Sequence, residues 1–364
     1  MLSGPSADPI AQTRLGLLST TAAPRPVGPA PRAGAIPEPP AARPSTGAIP
    51  GPPAARSWTG PLLVCAAGGL ALLIALLGPG VAAHDTGETR TAGAGLAAAL
   101  RTVLFTALAL HLGELLAPQL IRPVRGRPRT PVRSWAVFAS LAGAAAAAGQ
   151  IVRLAVVGGL GFTETFGARE GGLLLGITAG LLLAAFCAAS KRPDLALIPL
   201  AVVVGAEALR AHPEAYSPQV GAAITVVHLT AASLWTGGLL YVLRTMWHWR
   251  GSPVAARTLL GRYARLAAWL YAALAATGTV STLRRLPLDV MFTSAYGRTL
   301  LTKLVLMAVV SALALAARRR MLQDSDPTVA HRLARREQVV LGLVVVVSAI
   351  LTAVPDPHLI SSRT

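Results

Sequence analysis

Long apolar runs dominate the chain after residue 60, and short polar segments separate them. Runs of roughly 17 to 25 apolar residues are long enough to cross a bilayer as a helix. We predict such spans near residues 61–83, 95–118, 134–157, 171–190, 194–210, 219–243, 263–284, 298–317 and 337–354. The pattern therefore predicts an all-α, polytopic membrane helical bundle with about nine transmembrane helices.

Residues 1–60 lack this periodicity and are rich in Pro, Ala, Gly and Arg. They contain the near-duplicate segments GAIPEPPAAR (34–43) and GAIPGPPAAR (47–56). Such a segment cannot bury enough apolar surface to offset the entropy of ordering it. We predict a disordered cytoplasmic tail, and we favour a plain tail over a docking site for an SH3-like partner.

The charge of the chain follows its loops. Hydrophobic residues make up 53% of the sequence and charged residues 13%, with a net charge of +18. The arginines cluster in segments 122–133, 244–257 and 318–336, which are alternate loops. This distribution is the positive-inside pattern, so it predicts a membrane protein with a cytoplasmic N-terminus and an external C-terminus. Because topology explains the charge, we predict no nucleic-acid partner.

Several polar side chains fall inside the predicted spans, where they are costly and are functional candidates by default. One histidine, His111, and Glu114 lie in the inner half of the second span, as an exit ligand pair or as an internally bonded pair. His84 and His212 lie at the predicted outer mouth. Most of the other polar residues fall in the predicted outer half of the membrane, namely Arg101, Gln150, Arg153, Glu207, Arg210, His228, Arg284 and Lys303.

The segment HLTAASLWTGG (228–238) carries the leading candidate. His228 and Trp235 share one helical face lined by small residues, and Gly237 and Gly238 allow a neighbouring helix to come close. We therefore expect His228 to point into the bundle. A neutral imidazole there could bind copper or haem iron or carry a proton, or it could be satisfied structurally by a neighbouring helix.

Five further residues are weaker candidates around the same outer region. His212 ends the fifth span on a short connection to His228, and Glu207 could add an oxygen ligand, although pairing with Arg210 at i,i+3 is favoured. Lys303 and Met307 lie one turn apart, and a thioether suits copper(I). The sequence VAA before His84 resembles a signal-peptidase site, and cleavage would make His84 a copper(II)-binding N-terminus; we favour an uncleaved helix.

The two membrane histidines His111 and His228 also permit a bis-histidine haem, although their depths differ. No Walker loop, GxSxG, HExxH or redox CxxC motif occurs in the sequence. The sequence therefore indicates a protein that is not an enzyme.

Three stretches resemble the bacterial copper resistance D (CopD) family of integral membrane proteins. They are HLTAASLWTGGLLYV (228–242), RYARLAAWLYAALAATGTVSTLRRL (262–286) and TSAYGRTLLTKLVLM (293–307). The resemblance implies an inner-membrane protein of copper handling that moves copper from the external side toward the cytoplasm, alongside a periplasmic or extracellular copper-binding protein. It divides the chain into N-terminal membrane helices (61–210), a copper resistance D-like domain (211–320) and a last transmembrane helix with an external tail (321–364).

On that resemblance, His212 and His228 would capture copper at an outer vestibule. Trp235, Gly237 and Gly238 would set the helix packing below it. The entrance would be shaped or gated electrostatically by Tyr296, Arg298 and Lys303, or these cations would hold an acidic partner or pair with Glu207. The leading hypothesis is therefore a copper permease, and the alternatives are a haem-binding electron carrier or cytochrome oxidase assembly factor, and a structural membrane scaffold.

Overall fold

The computed structural model describes residues 59–88, 91–128, 132–210, 217–285, 291–323 and 327–354. Residues 1–58, which include almost all of the predicted disordered tail, lie outside this part. Ten α-helices and one 3₁₀ turn (Pro193–Ala196) make up its regular structure, and no strand occurs within the described ranges. The helices are α1 (Thr59–Ala82), α2 (Ala94–Ile121), α3 (Ala136–Gly158), α4 (Phe162–Gly167), α5 (Arg169–Ala189), α6 (Leu197–Arg210), α7 (Pro218–His248), α8 (Pro253–Arg285), α9 (Ala295–Gln323) and α10 (Pro327–Leu351).

Each predicted span overlaps one helix, and the all-α membrane fold is confirmed. Seven of the described helices are long and apolar enough to cross a membrane, namely α1, α2, α3, α5, α7, α8 and α9. Helix α6 has 14 residues, or about 21 Å, and is shorter than a hydrocarbon core of about 30 Å. The first half of α10 carries Arg335, Arg336 and Glu337. A count of nine transmembrane helices is therefore not confirmed.

Small residues bring α2 and α7 into backbone contact. A Cβ atom on Gly237 would lie 1.7 Å from the carbonyl oxygen of Ala109, and one on Gly113 would lie 2.3 Å from the Gly237 carbonyl carbon. Only glycine at both positions permits this approach, as is common between membrane helices. The close approach predicted for Gly237 is confirmed, and Gly238 faces the Tyr263 ring on α8.

The apolar core lies in three clusters around α2 and α7. The first joins α7 to α8 and to α10 through residues such as Trp235, Leu259 and Leu341. The second joins α2 to α3, α5 and α6, and the third joins α1 and α2 to the start of α9 and the end of α10. Helix α2 thus packs against α1, α3, α7 and α10, and it links the segment before residue 210 to the segment after it.

The predicted inner end is held together by Glu114. Its carboxylate accepts hydrogen bonds from the backbone N–H groups of Trp135 (2.7 Å) and Ala136 (3.2 Å), and it forms an ion pair with Arg244 at 3.0 Å. The Arg244 guanidinium also stacks 3.6 Å above the Trp135 ring. His111 instead contacts Ser140 on α3, and no hydrogen bond between His111 and Glu114 occurs among the described residues. Helix neighbours, rather than the i,i+3 spacing, decide the partners of both side chains.

Candidate functional site

His228 lies on α7 and faces α8. Its Nδ1 atom lies 2.9 Å from the hydroxyl oxygen of Thr277. A Cβ atom on the adjacent Gly278 would lie 3.7 Å from His228 Cε1, so the small residue leaves room for the ring. The expectation that His228 points into the bundle is confirmed.

Thr277 fixes which nitrogen of His228 carries the proton. The single hydroxyl proton of Thr277 is donated to the carbonyl oxygen of Ala273 at 2.6 Å, within the same helix. The Thr277 oxygen is therefore the acceptor toward His228, and Nδ1–H is the donor. In this tautomer Nε2 keeps its lone pair, as in metal-binding histidines whose other nitrogen is held by a hydrogen bond.

Two residues of α9 lie on the side of the bundle that carries His228. The ammonium group of Lys303 is within electrostatic reach of the His228 ring. Met307, one turn further along α9, is partly buried and packs against the cluster that contains Trp235 and Leu274. This side of the bundle therefore carries an imidazole, a thioether and a lysine ammonium group.

Trp235 connects α7 to two other helices one level below His228. Its indole N–H donates to the carboxylate of Glu337 on α10 at 3.3 Å, and its backbone carbonyl accepts from the Tyr263 hydroxyl at 2.6 Å. The Trp235 ring also meets the Tyr271 ring edge-on, with centroids 5.7 Å apart. Trp235 thus sets helix packing beneath His228, as the resemblance implies.

Sequence reasoning missed Glu337, which is buried and lies beside Trp235. The available signal was an acidic residue at the beginning of the last apolar run, directly after two arginines. A buried carboxylate costs free energy unless it accepts hydrogen bonds, so the hydrogen bond from Trp235 stabilises Glu337.

The predicted outer mouth is formed by the start of α9 and the segment after α1. The backbone N–H of Ala295 donates to Glu88 at 3.1 Å, and Arg298 donates to the carbonyl oxygen of His84 at 2.7 Å. Ser294 caps α9 through the N–H of Gly297 at 3.0 Å. A Cβ atom on Gly297 would lie 2.0 Å from the carbonyl oxygen of Met291, so this glycine allows the tight turn. The Tyr-Gly-Arg sequence therefore joins the two outer segments.

Three further candidates from the sequence are Tyr296, Glu207 and His84. Tyr296 is buried among residues of α1, α2 and α10. Both carboxylate oxygens of Glu207 accept from Arg210, at 3.0 and 3.1 Å, so the favoured i,i+3 pair is present and no pairing of Glu207 with Lys303 or Arg298 is found. The His84 side chain is exposed and pairs with Asp85 at 2.7 Å.

The described residues do not assemble a complete metal-binding or haem site. His212 lies outside them, among residues 211–216. Within the described ranges, no three His, Cys, Asp or Glu side chains are close enough to share one metal ion. His111 and His228 face different helices, α3 and α8 respectively, which does not favour a haem held between them.

The helices form a polytopic membrane protein with an apolar core, and His228 is an imidazole held between two of them. Residues 257–354 match the family model described as copper resistance protein D, so the resemblance to the CopD family is confirmed for this part of the chain. The match includes Thr277, Lys303, Met307 and Glu337, whereas His228 precedes it. No match was found among curated proteins or among solved structures.

Proposed function

We propose that the protein transports or otherwise handles copper across the bacterial plasma membrane, with His228 as a copper ligand facing the outer side and without catalysing a reaction. The observation that carries this proposal is the 2.9 Å contact between His228 Nδ1 and the Thr277 hydroxyl oxygen. Because Thr277 donates to Ala273, we infer that Nδ1 carries the proton and that Nε2 keeps a lone pair inside an apolar bundle. Thr277 belongs to the segment that matches the copper resistance protein D model. The residue that supports His228 therefore lies in the part of the chain that matches the family model.

Copper needs further ligands besides one imidazole. The thioether of Met307 is a soft donor suited to copper(I), and His212 and His84 are imidazole donors on the outer segments. Lys303 disfavours a cation that stays at His228, because like charges repel more strongly in an apolar interior than in water. We infer a transient copper position from which the ion is passed on, supplied by a periplasmic or extracellular copper-binding protein.

Copper accumulation in cells tests this function. Cells that express wild type are compared with cells that express His228→Ala at equal protein levels, and the metal content of the purified proteins is measured in parallel. The matched control is His248→Ala, which removes an exposed histidine from the end of the same helix. We expect His228→Ala alone to lose bound copper and the change in cellular copper.

Equal copper accumulation and equal bound copper in wild type and His228→Ala would refute the copper-ligand role. The absorption spectrum of the same preparations addresses the haem alternative, because a Soret band that disappears in His228→Ala would support a haem protein instead.

A further inference from the structure

A second polar cluster lies at the predicted outer ends of α2, α3, α5 and α6, away from Thr277 and Lys303. We call it the outer basic cluster, and its members are Arg101, Gln150, Arg153, Glu170, Glu207 and Arg210. Arg101 occupies its centre, because it is within electrostatic reach of Arg153, Glu170, Glu207 and Arg210. The proposed copper position uses none of these residues.

The carboxylates of this cluster are already engaged by Arg210. Both oxygens of Glu207 accept from Arg210, and Glu170 accepts from it at 3.3 Å. The side chains of Arg210 and Glu207 are each 3% exposed. The cluster contains three guanidinium groups and two carboxylates, so it has one excess positive charge. Because Arg210 pairs with both carboxylates, the excess charge lies on Arg101 and Arg153.

Three buried donors of the cluster have no hydrogen-bond partner in the described part of the chain. They are Arg101 Nε, Arg153 Nε and Gln150 Nε2. Arg101 uses its Nη1 group to donate to the carbonyl oxygen of Thr352 at the end of α10, which leaves its Nε edge without a partner. The Gln150 side chain is 1% exposed, so water does not solvate it freely. Each of these three N–H groups requires a hydrogen-bond acceptor.

The helix geometry places these donors near one another. Gln150 lies seven residues beyond Gly143, whose Cβ position faces Ala107 on α2 and Leu181 on α5. Gln150 therefore lies on the same face of α3, two helical turns further outward than Gly143. This places it level with residue 100 on α2, next to Arg101. Arg153 follows Gln150 by one turn and lies against Gly93 at the start of α2.

We propose that the outer basic cluster binds an oxyanion, a phosphate or carboxylate group, between α2, α3 and α5. A guanidinium presents two parallel N–H groups to such a group, and an amide N–H adds a third donor. The bound anion neutralises the excess charge and satisfies Arg101 Nε, Arg153 Nε and Gln150 Nε2. The source is either a soluble oxyanion or the phosphate of an anionic lipid.

The test measures the melting temperature of the purified full-length chain in two arms. In detergent, inorganic phosphate is compared with sodium chloride at equal ionic strength; in nanodiscs, phosphatidylglycerol is compared with phosphatidylcholine. We expect a rise in melting temperature in one arm, and the arm identifies the source. Arg101→Lys, which keeps the charge but loses the planar fork, should lose most of this rise.

Two variants make the test independent of general destabilisation. Arg153→Gln removes the excess charge, so it should melt no lower than wild type without oxyanion and lose the anion-dependent rise. Arg125→Gln changes the charge equally on an exposed loop at the other end of the bundle, and it should keep the rise. The proposal is overturned if chloride stabilises as well as phosphate and the two lipids act alike, or if the rise persists in Arg153→Gln and Arg101→Lys.

Discussion

At the scale of single residues, Thr277 controls how His228 presents its ring. Thr277→Val keeps the shape of the side chain but removes the oxygen that accepts from Nδ1–H. The ring then loses its fixed tautomer and orientation, and such supporting contacts typically contribute 10- to 100-fold to metal affinity. We expect Thr277→Val to weaken copper(I) binding by about that factor, measured by competition with a chromophoric copper(I) chelator.

Two variants on α8 control this measurement. Thr277→Ser keeps the hydroxyl group and should bind copper like wild type. Thr258→Val removes a hydroxyl that also donates to a carbonyl of its own helix, at 2.9 Å, but lies on an exposed face. If Thr277→Val and Thr258→Val bind copper equally well, the hydrogen bond to His228 does not support a metal ligand.

The residue-level picture was only partly predictable from the sequence. The period of α7 predicts that His228 and Trp235 share a face, and the spacing of Glu207 and Arg210 predicts their ion pair. Thr277 and Glu337 were not identified as the partners of His228 and Trp235, because those contacts join helices far apart in the chain. Periodicity assigns a face to a residue, but it does not say which helix that face meets.

At the scale of helices, the contact between α2 and α7 depends on the absence of a side chain at Gly237. The Cβ atom that Gly237→Ala adds would overlap the backbone carbonyl of Ala109, which cannot rotate away. The two helices must separate, and overpacking of this kind typically costs about 1 to 3 kcal/mol. We expect a lower melting temperature for Gly237→Ala in a thermal scan of the detergent-solubilised protein.

The matched control is Gly176→Ala on α5, where an added Cβ meets nothing within 4 Å. There alanine gains helix propensity, so the melting temperature should stay level or rise. A similar fall in both variants would mean that the backbone contact between α2 and α7 does not limit stability.

The helices also show which features of the fold the apolar pattern of the sequence does and does not predict. Runs of apolar residues located nine of the helices, because burial in lipid requires the same composition along the whole span. The predicted starts of α8 and α10 are ten residues too late, because both helices begin in polar sequence before the apolar run. The short α4 (Phe162–Gly167) was missed, since one and a half turns leave no periodic signal. The length of α6 distinguishes it from a full membrane span, and the charged residues in the first half of α10 distinguish that helix.

At the scale of the whole molecule, the arginine distribution predicts which end of the bundle faces the cytoplasm. Arg125 is exposed in the loop between α2 and α3, and Phe292 is 70% exposed in the segment between α8 and α9, at the opposite predicted end. Basic loops stay on the cytoplasmic side during insertion, and the loop of Arg125 carries the densest group of arginines. This orientation also places His228 and the outer basic cluster toward the outside.

Cysteine accessibility measures the orientation directly. In a background with Cys65→Ala and Cys187→Ala, Phe292→Cys should react with a membrane-impermeant maleimide in intact spheroplasts, whereas Arg125→Cys should react only after permeabilisation. Labelling in the reverse order would move His228 to the cytoplasmic half of the membrane. Copper would then meet it from inside the cell, and a role in capture from the external side would have to be abandoned, although His228 could still bind copper during export.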